Sequence, residues 1–241
     1  MAVMTTKTVR ELAVENPAAT RIFEKFGIDY CCGGSQSLEQ ACEKASISIE
    51  QILDTLEKAK ETERAAQLAR DWNREPLAEL IAHIKNTHHK YTREETARLN
   101  ALLHKVCSVH GKNHPELFEI QRTFAALTHE LTTHLMKEEM VLFPYIERME
   151  EALLQKEPML PAPFGTVQNP VAMMEHEHDS AGNALRVMRK ASREYTAPED
   201  ACVSYQTLYK ALEAFEVDLH RHIHLENNIL FPRAVEMEHT H

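Results

Sequence analysis

Glycine is scarce in this chain, with 6 residues in 241. The alternating Val/Ile/Thr-rich runs of β-strands are missing as well. Together these absences exclude a β-rich fold and predict an almost wholly helical chain. No run of 18 apolar residues occurs, so no membrane-spanning helix is expected. The first stretch, MAVMTTKTVRELAVENPAAT, lacks the long apolar core of a secretory signal. A basic excess is also absent. The 27 Lys and Arg residues are outnumbered by 37 Asp and Glu, for a net charge of −10, which argues against nucleic acid or an anionic membrane as partner. Five cysteines, two of them adjacent, fit a reducing compartment better than a disulfide framework. The expectation is a soluble cytoplasmic protein of one or two domains.

Histidine, by contrast, is abundant, at 15 residues. Position must decide what each one does. Thr8 with Glu11, and Ser48 with Gln51, read as capping boxes. Asn16 before Pro17 reads as an N-cap with a first-turn proline, and Gly27 is placed to stop that helix. Short helices are predicted over about 9–14, 17–26, 38–45 and 49–69, forming a small N-terminal unit. The charged stretch KETERAAQLARDWNREP leads from it to Pro76. The predicted boundary therefore divides residues 1–70 from 71–241.

Beyond that boundary, four long periodic segments begin at or near Pro76, Pro115, Pro170 and Pro198. Helices are predicted at about 77–107, 115–149, 170–195 and 199–238, which is a four-helix bundle. The proline-rich connection over 150–169 is long for a bundle loop and reads as a strap or lid.

The second and fourth bundle helices repeat. HLMKEEMVLFP (134–144) matches HIHLENNILFP (222–232): His134 with His222, Glu138 with Glu226, and Leu-Phe-Pro with Leu-Phe-Pro, every pair 88 residues apart. The apolar stripe repeats too, Ile120, Phe124, Leu127 and Leu131 against Leu208, Leu212, Phe215 and Leu219. The bundle is thus predicted to be two copies of one helical hairpin. His134 and Glu138 continue a core stripe, where an unpartnered carboxylate would cost several kcal/mol, on the order of 2–7 even for a neutral polar group. The first helix of the second copy puts His178 on its stripe and His176 off it. In the first copy the counterpart is His88 or His89. The repeat offset favours His89, whereas helical phase from Leu77, Ile81 and Ile84 favours His88. Spacing alone leaves both open.

A His and a Glu four residues apart share one helix face, and two such pairs converge across a bundle core. One histidine from each remaining helix completes a set of four imidazoles and two carboxylates. If each glutamate bridges two metals, each ion receives two nitrogens and two oxygens. A bridging oxo or hydroxo group makes five ligands and leaves one position open for a small molecule. Mixed imidazole and carboxylate ligation suits iron or manganese better than copper or a closed zinc site. Met136, Met140, Met173, Met174 and Met188 are expected as core filler, and so are Cys42, Cys107 and Cys202. Adjacent Cys31 and Cys32, followed by two glycines, are expected in an exposed turn as reactive thiols.

GIDYCCGGSQSLEQAC (27–42), HLMKEEMVLFP, MEHEHDSAG and HIHLENNILFPRA together resemble the iron–sulfur cluster repair di-iron proteins. These have a short N-terminal Cys-Cys domain and a hemerythrin-like bundle. The resemblance implies a centre of two non-haem iron ions held by His89, His134, His178 and His222 and bridged by Glu138 and Glu226. It also implies repair of iron–sulfur clusters damaged by nitric oxide or peroxide. The partners would be proteins carrying damaged clusters, with nitric oxide or oxygen as a small ligand, and a homodimer is an open possibility. Cys31 and Cys32 would serve as a redox relay, an iron contact or a docking point. The alternative is a hemerythrin-like carrier or sensor of oxygen or nitric oxide, for which the thiol domain has no use.

Overall fold

The computed structural model describes residues 7–15, 17–30, 34–56, 71–158 and 162–240. Their regular structure is helical, and only two isolated bridges, Thr8 with Ser37 and Ala162 with Gly165, link extended segments. The N-terminal unit contains α1 (Val9–Glu15), α2 (Pro17–Lys25), α3 (Leu38–Ala45) and helical residues 49–56. The Thr8 box forms as predicted, the Glu11 amide donating to Thr8 Oγ1 at 3.2 Å and the Thr8 amide to Glu11 Oε2 at 2.7 Å. Ser48 makes no such box, because its hydroxyl donates to Glu50 instead. A complete box caps α3, between Ser37 and Gln40. Gly27 follows α2 at a φ of +66°, where the absence of a Cβ removes the steric cost of a left-handed turn. Val9, Phe23, Tyr30, Leu38 and Ile52 are among the residues that fill this unit's core. The predicted cap Asn16, the thiols Cys31 and Cys32, and the rest of the predicted 49–69 helix lie outside the described residues.

The bundle has four rods. The first runs through α4 (Leu77–Ile84), a π turn (Lys85–His89) and α5 (Lys90–His110); the second through α6 (Glu116–Lys137), a π turn (Glu138–Leu142) and α7 (Phe143–Gln155). The third is α8 (Gln168–Ala191), and the fourth runs through α9 (Val203–Leu225), a π turn (Glu226–Leu230) and α10 (Phe231–Thr240). The first rod packs on the second and fourth, and the second packs on the third. Three ends differ from expectation by four residues or more. The second rod runs past the predicted 149 to Gln155, so the connection to the third is shorter than the 150–169 expected. The third rod stops at Ala191 because Arg193, Glu194 and Tyr195 all take left-handed backbone angles. The fourth starts only at Val203, with extended Cys202 as its N-cap.

The duplicated frame reaches the rod ends. The amides of Leu77 and Ala78, unsatisfied donors at a helix start, give hydrogen bonds of 2.6 and 2.9 Å to the Glu150 carboxylate at the far end of the second rod. Glu238, 88 residues on, does the same for the third rod through the Val167 amide at 2.9 Å, and it also accepts from Thr166 and Tyr145. Each negative charge thus sits at a positive helix end.

Inside the bundle, apolar side chains form two clusters. One holds Leu99, Phe124, Leu131, Phe215 and Leu219; the other holds Ile84, Leu142, Phe143, Met174, Leu230 and Phe231. Chain order places His89, His134, Glu138, His178, His222 and Glu226 between the two clusters, as a polar layer in an apolar core. The N-terminal unit docks beside that layer on its own bundle. Asn228 Nδ2 donates to the Tyr30 carbonyl at 3.1 Å, the Tyr30 ring meets His224 edge-on at 5.4 Å, and Asn73 Nδ2 donates to the Val14 carbonyl.

Candidate metal centre

All six residues of the polar layer are at most 2% exposed. They fall into two overlapping clusters, His89–Glu138–His222–Glu226 and His134–Glu138–His178–Glu226, whose ligand-type atoms lie within 4.8 Å of one another. Both glutamates belong to both clusters, and each pair of histidines belongs to one. The imidazole Nε2 atoms converge: His89 faces His222 at 3.1 Å and His178 faces His134 at 3.0 Å. Around them stand Glu226 Oε1, 2.9 Å from His222, Glu226 Oε2, 3.2 Å from His178, and Glu138 Oε2, 3.4 Å from both His89 and His134.

His89, not His88, points into this layer, and the π turn is the reason. A π turn holds one residue more than an α turn, so the phase running through Leu77, Ile81 and Ile84 advances by one position at Lys85–His89. His88 is buried too, but its Nδ1 faces Asp218 at 3.0 Å and its ring lies parallel to that of His222, 5.7 Å away. His176 is exposed.

Three further residues surround the layer, and none was legible as a site residue from spacing. His89 Nδ1 donates to Glu139 at 2.7 Å, His134 Nδ1 to Glu177 at 2.9 Å, and His178 Nδ1 to Asn227 at 2.7 Å. Acceptors on the outer nitrogen fix a ring and raise its basicity toward a metal. Each acceptor is the chain neighbour of a layer residue, and Glu139 and Asn227 are related by the repeat; those were the available signals. Arg93 and Lys137 engage the two carboxylates in turn. The phenylalanine of each Leu-Phe-Pro lies against the first-rod or third-rod histidine of its own hairpin, Phe143 on His89 at 5.6 Å and Phe231 on His178 at 6.1 Å.

Burial and the two carboxylates pull the imidazoles of the layer in opposite directions. Burial pulls the His89 pKa down, but the Glu138 and Glu226 carboxylates outweigh it and hold it at about 10. His178 is raised in the same way, mainly by Glu226 against burial, to about 9. His222 is pushed down to about 3 by burial. Burial opposes the charge of Glu226, but His222 and His178 hold its carboxyl well below the usual range. Glu138 is different: neither carboxylate oxygen has a hydrogen-bond partner among the described residues. Buried polar atoms are rarely left so, and a carboxylate is a hard oxygen donor suited to a metal ion. The donor set therefore fits iron.

Residues 5–60 match the model of an N-terminal domain of unknown function named ScdA_N, and residues 80–234 match the hemerythrin HHE cation-binding domain. The chain is 37% identical over 234 residues to the iron–sulfur cluster repair protein YtfE of Pectobacterium carotovorum, covering 96% of this chain and 98% of that one. It is 36% identical over 225 residues to a probable iron–sulfur cluster repair protein of Haemophilus influenzae, covering 93% and 95%. The chain belongs to the iron–sulfur cluster repair protein family. The family's all-helical hemerythrin domain is the bundle described above, and the buried His/Glu layer suits it to binding metal.

Two expectations about other residues are corrected. Met136, Met140 and Met173 are 52–72% exposed, because they fall off the stripes that bury Met174 and Met188. Cys202 is exposed at the start of α9, its Sγ 3.1 Å from His110 Nε2, while Cys42 and Cys107 are buried.

Proposed function

We propose that the chain holds two iron ions, one by His89 and His222 and one by His134 and His178, with Glu138 and Glu226 bridging. We propose further that it uses them in the cytoplasm to restore iron–sulfur clusters damaged by oxidative or nitrosative stress. The observation that carries this reading is the fully buried Glu138 carboxylate, without a hydrogen-bond partner among the described residues and shared by two four-residue clusters. A bound iron pair would supply exchangeable iron and a redox couple that can meet nitric oxide or oxygen. The residues of the chain do the rest. Glu139, Glu177 and Asn227 orient three imidazoles, Phe143 and Phe231 shield the layer, and the apolar clusters on either side exclude water. The relatives named as repair proteins support the biological role. The Tyr30 carbonyl, held by Asn228, ties the N-terminal unit to the π turn that begins at Glu226, an arrangement a simple oxygen carrier does not need.

The test is an anaerobic assay with iron-loaded protein and an enzyme whose [4Fe–4S] cluster has been nitrosylated. Recovery of that enzyme's activity, with loss of iron from the chain, is the expected result. If nitric oxide binds while no iron leaves and no cluster recovers, the carrier or sensor reading replaces this one.

A further inference from the structure

The duplicated frame holds the two ions unequally. The repeat relates Glu139 to Asn227, and each serves the first-helix histidine of its own hairpin, His89 and His178. The second-helix histidines, His134 and His222, should be served by the residue just before those two. For His134 this holds: Glu177 precedes His178 and accepts from His134 Nδ1. For His222 the corresponding residue is His88, which turns its own Nδ1 to Asp218 and lies parallel to the His222 ring. His222 Nδ1 is left buried with no hydrogen-bond partner among the described residues, although the residue is fully buried.

Counted by ion, the His134/His178 pair has a carboxylate and an amide acceptor behind it. The His89/His222 pair has a carboxylate and nothing. Both carboxylates are themselves shared with a surface cation, Arg93 on Glu139 and Lys137 on Glu177, so they largely cancel in the comparison. Losing an outer acceptor weakens metal binding by roughly 10- to 100-fold. We infer that the ion between His89 and His222 is the more weakly held and the first to leave, with Asn227 the positioning residue that retains the other. This inference rests on the two-iron reading of the same site. It identifies which half of the centre supplies iron.

The experiment follows iron loss from the full chain, loaded anaerobically with ferrous iron and mixed with a chromogenic ferrous chelator. Two phases of one ion each are expected, separated by roughly 10- to 100-fold in rate. His88→Gln, which offers His222 a neutral acceptor, should slow the fast phase and leave the slow one alone. Asn227→Leu should accelerate the slow phase toward the fast one, and Asn227→Asp, which keeps an acceptor, should preserve it. A merely structural role for Asn227 would affect both phases alike and would not distinguish Leu from Asp. Circular dichroism of each variant checks that the helices are intact. Loss of both ions in one phase, or a His88→Gln effect confined to the slow phase, overturns the inference while leaving the two-iron centre standing. Saturation below two irons per chain overturns the centre itself.

Discussion

Replacing Glu138 by Gln keeps the volume of the side chain and removes one buried charge. Without metal, the lost support for protonated His89 and the relieved burial of the Glu138 charge act in opposite directions, so the net cost should be small. Glu138 has only 3.4 Å contacts to His89 and His134 and no aligned hydrogen bond, and imidazoles can shed a proton where a lysine or arginine could not. The metal-free variant should therefore melt within roughly 4 °C of metal-free wild type, the equivalent of about 1 kcal/mol in a chain of this size. With metal the difference should be large. A ligand that binds only the folded state stabilises it by about 2.7 kcal/mol at a hundredfold excess over Kd. Two ions contribute about 5 kcal/mol on that basis, or roughly 10–20 °C in melting temperature. Glu138 belongs to both clusters, so Glu138→Gln should abolish the whole of that gap, whereas His134→Ala should abolish only the part due to its own ion. The assay is paired calorimetry and iron counting on loaded and stripped protein. A Glu138→Gln variant that still carries two irons and keeps the full gap would refute the bridging role.

Removing the duplicated caps should weaken the rods: Glu150→Ala and Glu238→Ala should each cost about 0.5–2 kcal/mol in denaturant unfolding. Glu238→Ala should be the worse, since it also frees Thr166 and Tyr145. At the opposite end, the Asp200 carboxylate raises the His114 pKa, and His114 lowers that of Asp200. A raised histidine pKa stabilises the fold below its unfolded value, and that gain disappears as pH rises through the folded value. The lowered Asp200 loses its contribution as pH falls through its own folded value. His114→Gln should therefore reduce the melting temperature most near pH 5–6, with the effect fading as pH rises through the raised folded value of His114. Finally, Cys31→Ser with Cys32→Ser should spare the iron content and impair repair of a nitrosylated cluster; unchanged repair would leave the thiols without a role.

The fold was legible because burial writes a period into a helix. The stripe Ile120–Phe124–Leu127–Leu131 continued into His134 and Glu138, and all six proved buried. The fold class and the family followed from the repeat and the Cys-Cys motif. What escaped was whatever depends on hydrogen bonding between rods. Glu139, Glu177 and Asn227 look like ordinary solvent-facing residues in sequence, and only the neighbouring rod turns them into acceptors. The exposed methionines show the complement: one residue off the stripe, an apolar side chain faces water.

The π turns were the least legible feature, yet two of the three have a cause in the sequence. Pro144 and Pro232 have no amide hydrogen, and in an unbroken α-helix each ring would collide with the carbonyl four residues back. The π turns at Glu138–Leu142 and Glu226–Leu230 each end two residues before the proline, where the amide of Phe143 or Phe231 reaches back five residues to the carbonyl of Glu138 or Glu226. The widened turn relieves the proline and, in the same step, turns the phenylalanine onto the histidine of the neighbouring rod. Leu-Phe-Pro is thus the device that ends the α-helical phase at the glutamate. The third π turn, Lys85–His89, has no proline after it. The polar contacts of its own last two residues offer a reason instead: His88 faces Asp218, and His89 faces Glu139 and the buried glutamates. Both histidines can face inward only if the turn holds one residue more than an α turn allows. Phase counted along an ideal helix selects His88 because it omits that residue.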